Sequence, residues 1–228
     1  DVKKAEILLK RKDLPIELVG FVKEQNQKVD TVAIISPGGI SNYQSTPDDF
    51  RVIAVISSYN EEDIIIPVIN QLIQDGIEVY LIDNWSNDET YHRAKSLLGK
   101  GLIGIEKFPN NGFSPTYDHN EILKRKEILC QELGADWYIH HDADEYRESP
   151  WEGICLRDAI YRVDQEGYNS INFTVLNFFP VNNNYPPGTS FIDFFKYFEF
   201  GKHAAYSIQT QAWKKTSDRV NLHESGGH

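Results

Sequence analysis

The run Trp137-Tyr138-Ile139-His140-His141-Asp142-Ala143-Asp144-Glu145-Tyr146 joins two opposed chemistries in ten residues. Its first half is apolar and reads as a short buried strand. Its second half sets three carboxylates within four residues at the end of that strand. Carboxylates held this close repel one another, so the ending calls for a counter-charge. All-oxygen ligands favour a hard divalent cation, Mg2+ or Mn2+. An isolated Asp-x-Asp also describes an ordinary solvated turn, and such short motifs arise often by chance. What the cluster means depends on the chain around it.

Upstream, the pattern is regular from residue 51. Val52 to Ile56 is a continuous apolar run, the mark of a strand covered on both faces. Ser57 to Asp63 is polar and leads into a helix ending near Gln74, before Asp75-Gly76. Ile77 to Ile82 reads as a second strand and Asp83 to Thr90 as its polar loop. A helix over about 88–98 and a strand over 101–105 follow. Then come the turn Asn110-Asn111-Gly112 and a long helix from about Tyr117 to Leu133. Strand and helix alternating on this scale predict an α/β domain, a mostly parallel sheet with helices on both faces. Ligands of such sheets bind where the carboxyl ends of the strands meet their loops. The polar clusters 57–63, 83–90 and 142–145 all fall there, and that convergence lifts the acidic cluster above a chance motif.

Composition narrows the classes. The 228 residues carry 23 basic and 34 acidic side chains, a net charge of -11, which excludes the basic face a nucleic-acid partner needs. No apolar run reaches the ~20 residues of a membrane span, and no signal peptide is visible. This predicts a cytoplasmic protein and leaves peripheral membrane association open. Cys130 and Cys155 read as reduced and buried. Methionine is absent even at position 1, so the chain reads as part of a longer product.

The flanks are less regular. Residues 1–28 show helical spacing and 31–35 a short strand, so 1–50 are expected to form an N-terminal helical appendage to a main domain at 51–228. That domain divides into a nucleotide-binding half at 51–146 and an acceptor half at 147–228. Beyond the cluster, a helix is expected over 151–166 and a strand over 168–176. The stretch 177–200 is rich in Phe, Tyr, Asn and Pro and reads as a long loop, suited to covering an acceptor. A weak strand follows at 202–213.

In order and spacing, these motifs resemble glycosyltransferase family 2, the GT-A fold, over roughly residues 51–175. Ser57-Ser58-Tyr59-Asn60-Glu61-Glu62 is similar to the family's nucleoside-holding turn. Asp83-Asn84-Trp85-Ser86-Asn87-Asp88-Glu89-Thr90 is similar to its Asp-Asp-Gly-Ser-x-Asp-x-Thr element, with Asn84 and Trp85 in place of Asp and Gly. Asn110-Asn111-Gly112 resembles its Asn-x-Gly turn, while the Ala-Arg-Asn that follows in relatives is not recognisable here. Asp142-Ala143-Asp144 matches its Asp-x-Asp.

The resemblance implies a metal-dependent enzyme that moves a sugar, with inversion, from a nucleotide-diphosphate donor to a hydroxyl acceptor. A UDP-sugar is the favoured donor. The acceptor would be a carbohydrate or lipid-linked group in surface polysaccharide or glycoconjugate assembly. It implies donor contacts at Ser58, Tyr59, Glu61, Asp83, Asn84, Asn111 and Asp142. Mn2+ or Mg2+ would lie at Asp142 and Asp144, with His228 as a third ligand, and Glu224 or Asp193 would serve as base. Glu145 stands as metal surroundings or surface charge, and Asp88 and Thr90 read as capping residues. Two other classes remain beside this one. One is a catalytically inactive relative that binds carbohydrate or a partner. The other is a phosphatase-type hydrolase built on the Asp-x-Asp.

Overall fold

The computed structural model describes residues 20–23, 32–34, 44–179, 194–195, 197–200, 208–216 and 222. Ten strands are assigned in chain order. They are β1 (Gly20–Lys23), β2 (Val32–Ile34), β3 (Val52–Ser58), β4 (Glu78–Asp83), β5 (Leu102–Lys107), β6 (Trp137–Asp142), β7 (Tyr168–Thr174), β8 (Leu176–Phe179), β9 (Tyr197–Phe200) and β10 (Ile208–Lys214). The helices are α1 (Ile65–Gln74), α2 (Thr90–Lys95), α3 (His119–Glu132) and α4 (Leu156–Gln165). Eight strands form one sheet in the order β2-β1-β7-β10-β6-β3-β4-β5. β6, β3, β4 and β5 run parallel, and the β2-β1-β7-β10 side is antiparallel, through to the β10–β6 junction. β8 and β9 make a separate two-stranded ribbon.

The continuous apolar run of β3 has the expected cause. Val52, Ala54 and Ile56 enter one core, together with the buried faces of α1 and α4. Ile53 and Val55 enter a second core on the other side, with Ile122, Leu123, Leu129 and Cys130 of α3. Alternate residues of a strand point to opposite faces, so a strand sandwiched by helices has no polar side to show. In β6 the same alternation puts Trp137 and Ile139 in the first core and Tyr138 in the second. It therefore puts His140 and Asp142 on the α3 face.

Register then fixes the crevice. Ser57 pairs with Asp142, Ser58 with Asp83, and Asp83 with Lys107. The carboxyl ends of four parallel strands thus finish at one level, with a polar residue at each end.

Two sequence expectations need correction. Gly20–Lys23, read as part of a helical stretch over 1–28, is a strand paired with β7, and β2 pairs with it in turn. Short apolar segments fit either period, and Gly-Phe-Val favours extended backbone once a sheet edge offers partners. The single strand expected over 168–176 is two, because β7 ends at Thr174 and β8 begins at Leu176 in the other ribbon. The stretch read as one long loop therefore carries a strand at each end, β8 and β9.

Gly104 lies opposite Tyr80 in the β4–β5 pair, and a Cβ there would overlap the Tyr80 ring. That ring is held by its hydroxyl, which donates to Glu106 Oε2 at 3.1 Å. Arg125 of α3 grips the same Glu106, Nε to Oε1 at 2.7 Å. Gly104→Ala is expected to lower stability by about 1–3 kcal/mol through overpacking, read as a fall in the urea midpoint with an unchanged slope.

Candidate active site

The loops after β3 and β4 are zipped together by their own polar groups. Asn60 N–H donates to Ser86 Oγ (3.0 Å), Glu61 N–H to Thr90 Oγ1 (2.7 Å) and Glu62 N–H to Asp88 Oδ2 (3.2 Å). In return Asn87 N–H donates to Asn60 Oδ1 (2.9 Å) and Glu89 N–H to Glu62 Oε2 (3.0 Å). Asp88 Oδ1 also accepts from Thr90 N–H at 2.9 Å. Asp88 and Thr90 therefore do more than close the start of α2: they hold the β3 loop in place.

At the base of these loops, Asp83 is fully buried. Its Oδ2 accepts from Ser86 N–H at 3.1 Å, and its Oδ1 has no partner among the described residues. Burial pushes the Asp83 carboxyl above its ordinary pKa, with Ser86 and the Lys107 charge pulling the other way. Ser58, its register partner on β3, is also buried, and its Oγ has no partner among the described residues. A buried donor or acceptor without a partner is rare and asks for one. Asn84 and Trp85 turn outward from that point. Asn84 Nδ2 donates to Phe108 O and Trp85 Nε1 to Pro109 O, both at 2.9 Å. Lys107 Nζ lies over the Trp85 ring, 5.2 Å from its centroid. Asn84 is thus occupied in holding the β4 loop to the β5 loop.

The acidic cluster closes the other side. Asp144 is exposed, and the side chain of Asp142 is 45% exposed. Burial, and then the charges of Asp144, Asp63 and Asp88, push the Glu61 carboxyl above the usual range. Two basic side chains that the sequence reading passed over lie beneath. Lys126 of α3 is 1% exposed. Its Nζ donates to His141 O at 3.0 Å and stands 3.2 Å from His140 Nδ1. Arg147 is likewise buried. Its Nη2 donates to Glu145 Oε2 at 2.6 Å and to Gln211 Oε1 of β10, and its guanidinium lies over Phe173. Glu145 is therefore bound to a buried cation. The signal for Lys126 was in the sequence: it stands one turn from both Ile122 and Cys130, on a stripe otherwise apolar.

Ser58, Asp83 and Asp142 end adjacent strands, with Tyr59, Glu61, Asn84 and Asp144 in the loops that follow them. Tyr59 is 44% exposed, and Asn111 lies on the exposed turn after β5. Asp193, Glu224 and His228 lie outside the described residues. Among the described residues, no three carboxylate, imidazole or thiolate groups gather closely enough to hold a metal alone. The donor chemistry still fits a hard cation. Mg2+ is often held by one or two carboxylates and fills its shell with phosphate oxygens and water. Asp142 and Asp144 offer that pair, all oxygen, on the accessible rim of the sheet.

Residues 53–119 match the model of glycosyl transferase family 2. The family resemblance read from the sequence is thereby borne out over this segment, which runs from β3 to the first residue of α3. It contains the zipped loops and Asp83 and stops short of Asp142. No curated protein matches the sequence. Among solved structures, the chain is similar to that of S. aureus TarS, with 17% identity and a TM-score of 0.42, covering 61% of this chain and 23% of that one. TarS 1–349 in complex with UDP gives 17% and 0.42, over 60% of this chain and 38% of that one. TarS 1–349 in complex with UDP-GlcNAc gives 19% and 0.41, over 60% and 37%. This chain thus spans well under half the length of those solved chains.

Within the glycosyl transferase family 2 segment, Asp83 gives a direct test. In the unliganded protein its charge is held against burial. A carboxyl whose folded pKa is raised costs stability at any pH above that pKa. Asp83→Asn keeps the acceptor for Ser86 N–H and removes the charge. It is expected to raise the unliganded melting temperature at pH 7. That gain should shrink as the pH falls through the folded pKa, where the wild-type carboxyl takes up its proton and loses the penalty.

Proposed function

We propose that this chain is the donor-binding part of a metal-dependent, inverting glycosyltransferase using a nucleotide-diphosphate sugar, with a UDP-sugar favoured. One observation carries the reading. Asp83 and Ser58 keep buried oxygens with no partner among the described residues at the ends of adjacent parallel strands, and the carboxylate cluster stands at the end of the next strand. A polar base edge suits the first pair, because the N–H of a pyrimidine would satisfy Asp83 Oδ1. Tyr59, Asn84 and Asn111 shape the walls, and Glu61 accepts from a ribose hydroxyl. The carboxylates then meet a diphosphate, which needs the charge compensation that an acidic protein does not itself supply.

In this reading Asp144 would hold the metal directly. Asp142 would face the ribose or the metal's water shell, and His228 would be a third ligand. Mg2+ or Mn2+ held there would supply neutralisation of the charge that develops on the departing diphosphate. The acceptor hydroxyl attacks the anomeric carbon from the face opposite the leaving group, the bond to the diphosphate oxygen breaks, and the hydroxyl proton passes to a carboxylate. Glu224 and Asp193 are the proposed bases. The acceptor would be a carbohydrate or lipid-linked group in cytoplasmic-side assembly of surface polysaccharide or glycoconjugate. No helix among the described residues is long and apolar enough to cross a membrane.

A thermal-shift panel of UDP, GDP, CDP and dTDP, each with and without Mn2+, tests this. A diphosphate held through metal should raise the melting temperature only when both are present; at one hundred times its dissociation constant the gain is about 2.7 kcal/mol. Asp144→Ala should abolish the metal-dependent part and leave the unliganded melting temperature within a degree or two, because the side chain is exposed. No shift with any nucleotide would sink the reading.

A further inference from the structure

We propose that Arg147 is a positioning residue that sets how many carboxylates the acidic cluster offers. By drawing Glu145 inward it leaves Asp142 and Asp144 as a pair, which suits Mg2+ or Mn2+ where a trio would suit Ca2+. The metal rests on the function proposed above; the ion pair that withdraws Glu145 does not.

Residues 142–145 close one tight turn, in which Glu145 N–H donates to Asp142 O at 3.3 Å. The three acidic side chains therefore spring from backbone positions within about 7 Å of one another. Carboxylates on so short a turn could all close on one cation. Yet among the described residues no three such groups converge. Arg147 accounts for the missing third. Its Nη2 donates to Glu145 Oε2 at 2.6 Å, the length of a charge-assisted bond. One of the three negative charges is thus met by the chain itself.

The guanidinium cannot follow Glu145 outward, because other elements grip it. Nη2 also donates to Gln211 Oε1 of β10, and the guanidinium carbon lies 5.2 Å from the ring centroid of Phe173 on β7. The backbone is held as well: Arg147 O accepts from Gln71 Nε2 of α1 at 2.8 Å. The Arg147 side chain is 4% exposed and that of Glu145 28%, whereas Asp144 is exposed. Glu145 is therefore pulled into the protein while its neighbour stays in solvent. Stability does not explain the arrangement. Arg147 Nε and Nη1 and Gln211 Nε2 are buried with no partner among the described residues. Buried donors left unspent cost free energy, and apolar groups often replace buried ion pairs without loss. What the clasp does supply is a fixed carboxylate count. Ca2+ gathers many oxygens, and its affinity follows the charge of its ligands. Mg2+ keeps several waters and takes few carboxylates beside phosphate oxygens.

The test titrates Ca2+ into the protein without nucleotide and reads bound metal by calorimetry. Arg147→Met releases Glu145 and should tighten Ca2+ binding about tenfold or more over wild type. Adding Glu145→Gln to Arg147→Met should cancel that gain. A merely structural role would give neither the gain nor its cancellation. Should Arg147→Met fail to fold, Arg147→Gln, which keeps a donor for Gln211 Oε1, is measured in its place. Glu145→Gln alone should leave Mn2+-dependent UDP affinity within about twofold of wild type, the range of ordinary substitutions near the surface. A fall of about tenfold there would make Glu145 part of the metal's own shell and overturn the proposal. Unchanged Ca2+ affinity in Arg147→Met, or a gain that survives Glu145→Gln, would overturn it too. If the wild type binds no nucleotide with Mn2+, the functional reading fails, and the Ca2+ titrations alone decide the role of Arg147.

Discussion

β3 has a strand on each edge and a core on each face, and the candidate site is built outward from it. Its neighbours β4 and β6 are parallel to it, so their carboxyl ends are level with its own. Burial of one Ile or Val side chain is worth about 1.5–3 kcal/mol, and β3 buries Val52, Ile53, Val55 and Ile56 together. A one-residue slip against β4 or β6 would swap the two faces of the strand and send both cores to the wrong side. The placement of Ser57 beside Asp142 and of Ser58 beside Asp83 is therefore enforced by the apolar packing of β3 on both faces.

The loops beyond those ends are held differently. Asn60 and Trp85 both adopt left-handed backbone, with φ of 57° and 58°. For a bulky residue such as Trp85 this is strained, on the order of 1–3 kcal/mol. Each is retained by groups that define its position. Asn60 is bonded through both its N–H and its side-chain oxygen, and Trp85 through its indole N–H. Strain held by hydrogen bonds at a crevice rim is pre-organisation: the entropy of ordering these loops is lost on folding, before any ligand arrives.

How far the sequence could be read follows from these same forces. β3 and β6 were legible because burial on both faces leaves a run of apolar residues, and β4 and β5 from shorter apolar runs between turn signals. α1 and α3 were legible from their period. The ends of the crevice loops were legible because polar residues cluster where apolar strands stop. Gly20–Lys23 was not, because a four-residue segment carries too few repeats to separate a period of two from one of 3.6. The reach of Asn84 to Phe108 O was hidden as well, since that bond depends on the register of β5 against β4. Lys126 and Arg147 are cations buried where the pattern expects apolar side chains or solvent, and only the surrounding carboxylates and carbonyls account for them. Asp193, Glu224 and His228 rest on the sequence alone.

The direction of β10 carries a geometric consequence. It runs antiparallel to β6, and Lys214 at its end pairs with Trp137 at the start of β6. At about 3.3 Å per residue, that leaves Lys214 some 17 Å from the level of Asp142, at the end of the sheet away from the crevice. Leu222 is buried in the core beside α3. It shares that layer with Ile53, Val55 and Trp213, so the apolar cover of β3 on its α3 side includes side chains far beyond the acidic cluster in sequence, and a substitution at Leu222 is felt directly beneath the strand that sets the crevice.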